Sequence, residues 1–204
     1  MRSLEGSSII NNKRAIVVGI PGVGKTTVIT RAVEMLNTQG LNARLVVFGT
    51  VMFEEAMKMG VKHRDEMRRL SVEEQRRLQE NAAVKIANMK DDVIIIDTHL
   101  FISTKEGYYP GLPLHLLNLL KPTNLILVAA EPREILNRRM NDKTRQRDLV
   151  DEAEIAHELE IARIMLASCS ILTGAPFAIV MNREGRVDEA SHELANLLTD
   201  RRAR

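Results

Sequence analysis

Eight consecutive residues, Gly19-Ile20-Pro21-Gly22-Val23-Gly24-Lys25-Thr26, follow at once on the apolar run Ala15-Ile16-Val17-Val18. The glycines let the backbone fold into a nest whose N–H groups point at phosphate oxygens, which a Cβ would obstruct. Lys25 brings a point charge to the β- and γ-phosphates, and the Thr26 hydroxyl is suited to ligate Mg²⁺. Thr26, Thr27 and Val28 then open a helix, whose positive dipole end faces the same anion. The segment Gly19 to Thr27 thus reads as a nucleoside triphosphate site.

Asp97 closes a second apolar run, Val93-Ile94-Ile95-Ile96. In parallel sheets ligand groups lie beyond the carboxyl ends of strands, so Asp97 is placed to bind a water of the Mg²⁺ shell opposite Thr26. The residues after it are Thr98 and His99, not the glutamate with which ATPase motors commonly activate water. An acceptor that is already an anion needs no strong base; it needs positioning, charge neutralisation and exclusion of water. Arginine supplies that. Arg133, Arg138, Arg139, Lys143, Arg145 and Arg147 form a local basic excess, and planar guanidiniums bind phosphate in bidentate fashion. Arg138, Arg145 and Arg147 are the candidates to close over phosphates; Arg139 and Lys143 belong to the same cluster, with a solvated helix face as the competing reading. A second cluster runs His63-Arg64-Asp65-Glu66-Met67-Arg68-Arg69, where Arg64 and Arg68, four apart, share a face if the segment is α-helical. An Asp65–Arg69 salt bridge is the competing use of those charges. Without any His-x-x-x-His or Cys-x-x-Cys pair, the chain gives no sign of a protein-held zinc.

These residues need a scaffold, and short apolar runs alternating with helical patterns indicate an α/β protein with a parallel sheet. Strands are expected at about 14–19, 44–48, 93–97, 124–130 and 176–182, and helices at about 25–38, 51–59, 71–89, 112–120, 132–141, 152–172 and 188–199. Continuous runs such as Leu125-Ile126-Leu127-Val128 suit strands buried on both faces. Ser71-Val72-Glu73-Glu74 reads as a capping box and Asp151 as an N-cap. Roughly 45 residues separate the second and third strands, more than a single crossover helix needs. Gly107-Tyr108-Tyr109-Pro110-Gly111-Leu112-Pro113 is dense in turn formers and reads as a shaped loop at the rim of the site.

The chain's 204 residues are most simply one domain. A net charge of +2 and 3% aromatics argue against a nucleic-acid binder with stacking platforms, although the basic clusters would accept other polyphosphates, RNA included. No apolar run approaches the roughly 18 residues of a membrane span. The single cysteine, Cys169, sits in an apolar stretch and reads as a small buried hydrophobe. With no leader pattern in Met1 to Asn12, a cytoplasmic protein is expected.

Taken together, Gly19 to Thr26, Arg64-Asp65-Glu66-Met67-Arg68, Ile96-Asp97-Thr98-His99 and Gly107 to Pro113, with Arg138, Asp142, Arg145 and Arg147, resemble the archaeal-type adenylate kinases. The resemblance covers nearly all of the chain after the first dozen residues. It implies a three-layer P-loop NTPase fold with a five-stranded parallel sheet, and the reaction ATP + AMP ⇌ 2 ADP with Mg²⁺. It also implies a helical insertion at about 50–90 for the nucleoside monophosphate, a short lid at about 141–150, and a core of 13–49, 91–140 and 151–204. Gly49, Thr50, Arg64, Arg68, Thr98 and His99 then belong to the AMP side, and a homotrimer is expected. One departure is that Phe53 and Glu54 stand where bacterial relatives carry an arginine for the AMP phosphate, which leaves that task to Arg64 or Arg68. From the residues alone, a CMP or UMP kinase and a nucleotide switch or ATPase stay open as alternatives.

Overall fold

The computed structural model describes residues 12–141 and 151–199. Five parallel strands form one sheet: β1 (Lys13–Val18), β2 (Ala43–Val47), β3 (Val93–Asp97), β6 (Asn124–Ala129) and β7 (Phe177–Met181). Their order is β2-β3-β1-β6-β7: the chain leaves β1 toward the β2 edge and then crosses the other way through β3, β6 and β7. The connections leaving β1 and β3 thus run in opposite directions, and the reversal point lies between those two strands. The three inner strands are the continuous apolar runs, and Ile94, Ile95 and Ile96 are fully buried. Edge strands β2 and β7 have mixed burial, as expected where one side lacks a neighbouring strand.

Right-handed crossovers place helices before and after the reversal on opposite faces. On one face α1 (Lys25–Thr38) packs on α7 (Val187–Leu198). On the other, α3 (Val72–Ala87) meets α4 (Leu114–Leu120), which meets α6 (Glu152–Thr173), and α6 meets α5 (Pro132–Asn141). Ser71 and Glu74 form the capping box expected at the start of α3, and the Asp151 carboxylate accepts from Glu154 N–H at 2.8 Å. Register sets the site: Val17 pairs with Asp97, so β1 and β3 end side by side at the reversal point where ligands bind.

Three expectations need correction. The second helix, α2, spans Phe48–Lys58 and not 51–59, so Gly49 and Thr50 lie in its first turn. Burial of Phe48 and Val51 outweighs the poor helix propensity of the residues between them. The basic cluster Arg64–Arg69 is a 3₁₀ helix. With three residues per turn, positions four apart point about 120° away from each other, so Arg64 and Arg68 do not share a face. The turn-rich segment is also more regular than a shaped loop. Its residues form β5 (Gly107–Pro110), antiparallel to β4 (Phe101–Thr104), and Phe101 meets Tyr108 edge-to-face at 4.9 Å.

Cys169 is buried on the inner side of α6, and that burial pushes its thiol pKa up. A thiol held neutral and covered reacts slowly. Ellman's reagent should therefore leave the native protein unmodified over minutes and titrate Cys169 fully once the chain is denatured.

Candidate active site

The phosphate loop joins β1 to α1, and its shape follows from contacts made on its outer side. Arg139 donates from Nε to the Pro21 carbonyl at 2.9 Å. Val23 O accepts twice, from Asn182 Nδ2 at 2.8 Å and from Arg138 Nη1 at 3.3 Å. The peptide bonds are trans, so a carbonyl turned outward places the next N–H inward. Gly22 and Gly24 N–H are thereby directed to the side where a phosphate would sit. Glycine at 24 is required on two counts: its φ is +80°, and a Cβ there would collide with the Asn182 amide. Gly19 is needed for close approach, since its Cβ would stand 2.7 Å from Val128 O on β6.

These supports are themselves fixed. Asn182 follows β7, is buried, and donates its backbone N–H to Ala129 O at 2.7 Å. Arg138 donates from Nη2 to Asn182 O at 3.0 Å and pairs with Glu184 and Glu134, both at 3.5 Å or less. The guanidinium expected above the phosphates thus holds the loop from its outer side.

Lys25 crosses the cleft and pairs with Asp97 Oδ1 while donating to Thr98 O at 3.1 Å. The expected catalytic lysine therefore rests on the carboxylate expected to hold a water of the Mg²⁺ shell. Helix α1 begins at Lys25 with no side-chain cap and no acid in its first turn, which leaves its N–H groups and dipole available to an anion. The Thr26 and Thr27 residues beside it are exposed.

Next to the loop lies a cavity of about 310 Å³. Gly19, Ile20 and Pro21 form one wall; Arg68, His99, Phe101 to Ser103 of β4 and Glu158 of α6 are among the rest of the lining. Arg64 lies apart from Arg68. It donates to Thr50 Oγ1 at 3.1 Å and passes over Gly49, where a Cβ would meet its guanidinium at 3.3 Å. The Asp65–Arg69 bridge is not formed among the described residues. Arg145 and Arg147, like Asp142 and Lys143, lie outside the described residues.

Sequence reasoning missed Asn182, Glu158 and the part played by Arg139. Asn182 had a signal: it ends the last apolar run, at the edge of the sheet where ligand groups gather. Glu158 had none, being one of several glutamates on α6 with identical chemistry. Arg139 reads in sequence as one of the phosphate-binding arginines or as a solvated cation, because its partners, Pro21 and Glu158, come from distant segments.

A phosphate loop at the reversal point of a five-stranded parallel sheet, with an aspartate ending the adjacent strand, defines a P-loop nucleotide-binding protein. A family model described as AAA domain matches residues 18–156. The adenylate kinase of Methanocaldococcus jannaschii is 45% identical over 191 residues, covering 93% of this chain and 100% of that protein. That of Sulfurisphaera tokodaii is 42% identical over 190 residues, 90% of this chain and 98% of the relative. Shikimate kinases from Bacteroides thetaiotaomicron and Acinetobacter baumannii superpose with TM-scores of 0.56 and 0.57, covering 91% and 92% of this chain and 98% and 93% of theirs. Both are 15% identical, a likeness of fold alone. The chain belongs to the archaeal-type adenylate kinase family.

Gly24→Ala should lower affinity for a non-hydrolysable ATP analogue by tenfold or more, since a strained φ and a clash of about 1–3 kcal/mol fall on the loop itself. Isothermal titration calorimetry against the unaltered protein checks this.

Proposed function

We propose that the protein catalyses reversible phosphoryl transfer from ATP to AMP, giving two ADP. The observation that carries this is the cavity sharing Gly19–Pro21 with the phosphate loop, because a donor and an acceptor must lie side by side for direct transfer. An AMP phosphate oxygen attacks the γ-phosphorus, the bond from that phosphorus to the β,γ-bridging oxygen breaks, and ADP leaves from both halves. No proton need be removed from the acceptor, in keeping with the absence of an acid after Asp97.

In this reading Gly19 to Thr27 hold the ATP phosphates. Lys25 leaves Asp97 to neutralise the migrating group. Oxygen donors suit Mg²⁺, and the residues present fit it: Thr26 on α1 would ligate it, and Asp97 at the end of β3 would hold one of its waters. The ion would screen charge on the β- and γ-phosphates when bound. Gly49, Thr50, Arg64, Arg68, Thr98 and His99 form the AMP side. Arg68, on the cavity wall, is better placed for the AMP phosphate than Arg64, which is engaged by Thr50. Arg138 acts first as the support of the loop, leaving Arg145 and Arg147 to close over the transferring phosphate.

By the same reading residues 50–90 are the AMP-side insertion, residues 141–150 the lid, and the whole chain one kinase domain. A cytoplasmic site of action agrees with the free, buried Cys169. The proposed homotrimer has its best support in exposed apolar side chains at the far end of the sheet, Ile171 (85% exposed), Leu172 and Phe177.

Two measurements test this reading. ATP consumption should depend on AMP, with ADP formed in twice the amount of ATP used and with CMP and UMP poorer acceptors. ATP consumed without AMP would contradict it. Arg68→Ala should raise the KM for AMP by tenfold or more, the scale of about 1.5–3 kcal/mol for one hydrogen bond to a charged group, with the KM for ATP nearly unchanged.

A further inference from the structure

Arg139 belongs neither to the donor loop nor to the acceptor wall, yet it touches both. Its side chain is only 9% exposed. It donates from Nε to Pro21 O at 2.9 Å and from Nη2 to Glu158 Oε2 at 2.9 Å. Gly22 makes room for it: a Cβ at that position would stand 3.0 Å from Arg139 Cγ. Glu158, 16% exposed, lines the cavity beside Arg68. One guanidinium therefore ties α5 and α6, the helices on either side of residues 142–150, to the phosphate loop.

So covered a pair adds little net stability, because desolvation of both ions offsets their attraction. Its consequences are local. Without the Nε contact, Pro21 O is free to turn and the Gly22 N–H turns with it. Without the Nη2 contact, a carboxylate in a confined, weakly screened wall faces the space assigned to a nucleotide phosphate.

We propose that Arg139 is a positioning residue with two separable tasks: it sets the donor loop through Pro21 and cancels the Glu158 charge beside the acceptor. This deepens the kinase reading and rests on it for the acceptor half. The donor half stands on ATP-analogue binding, which needs no acceptor.

The test uses Arg139→Gln, Glu158→Gln and the double variant, with calorimetric affinity for a non-hydrolysable ATP analogue, the KM for AMP, and Tm. Arg139→Gln should weaken analogue binding and raise the KM for AMP about tenfold each, the scale of one lost charge-assisted contact. Adding Glu158→Gln should return the KM for AMP to within about threefold of the unaltered enzyme, while analogue binding stays weak, because the two effects have different causes. Glu158→Gln alone, with Arg139 still on Pro21 and its charge no longer cancelled beside the acceptor, should keep analogue binding within about threefold and should not raise the KM for AMP. The proposal is overturned if the double variant keeps the raised KM for AMP, if Arg139→Gln leaves analogue affinity intact, or if it lowers Tm alone. Should the unaltered protein ignore AMP, the kinase reading falls while the calorimetric arm still decides the donor half.

Discussion

A loop can bind phosphate through its amides only if something else holds its carbonyls away. Here that work falls to three side chains on the outer side, Arg138, Arg139 and Asn182, which take the Pro21 and Val23 oxygens. They come from α5 and from the end of β7, segments more than a hundred residues beyond the loop in sequence. The strand order explains how they arrive. With β6 next to β1 and β7 next to β6, α5 and Asn182, which follow these strands at the carboxyl edge, reach the loop. Sheet topology thus supplies donors that the loop's own sequence lacks, and the glycines supply the space into which those donors reach.

The second organising contact is electrostatic. Lys25 rests on Asp97 and Thr98 O, so the cleft's central cation is satisfied before any nucleotide arrives. A triphosphate bound at the loop would have to replace those partners, with several charges and the uncapped start of α1 in its favour. Because β1 and β3 end in register, Lys25, just past β1, lies within reach of Asp97 at the end of β3.

Much of this was legible in the sequence, for identifiable reasons. Inner strands buried on both faces must be continuous apolar runs, so β1, β3 and β6 could be read directly, and Gly19 to Thr26 combined spacing with that context. The β4–β5 hairpin could not. Its strands are four residues long, mostly exposed, and carry the Gly and Pro that normally signal a loop. Arg64 to Arg69 has helical composition but too little buried surface to select an α-helix over a 3₁₀ turn; none of its residues is buried. Asn182 and Glu158 were hidden for a different reason: their value comes from long-range neighbours, and no local pattern encodes those.

The central claim is that donor and acceptor sites share one wall, Gly19–Pro21, so that two nucleotides lie end to end. Calorimetric titration with diadenosine pentaphosphate, two adenosines joined by five phosphates, tests it most directly. The account predicts one molecule per chain, bound at least about a hundredfold more tightly than ATP or AMP alone, since linking two occupied sites makes the second binding step intramolecular. Affinity no greater than that of ATP would contradict it.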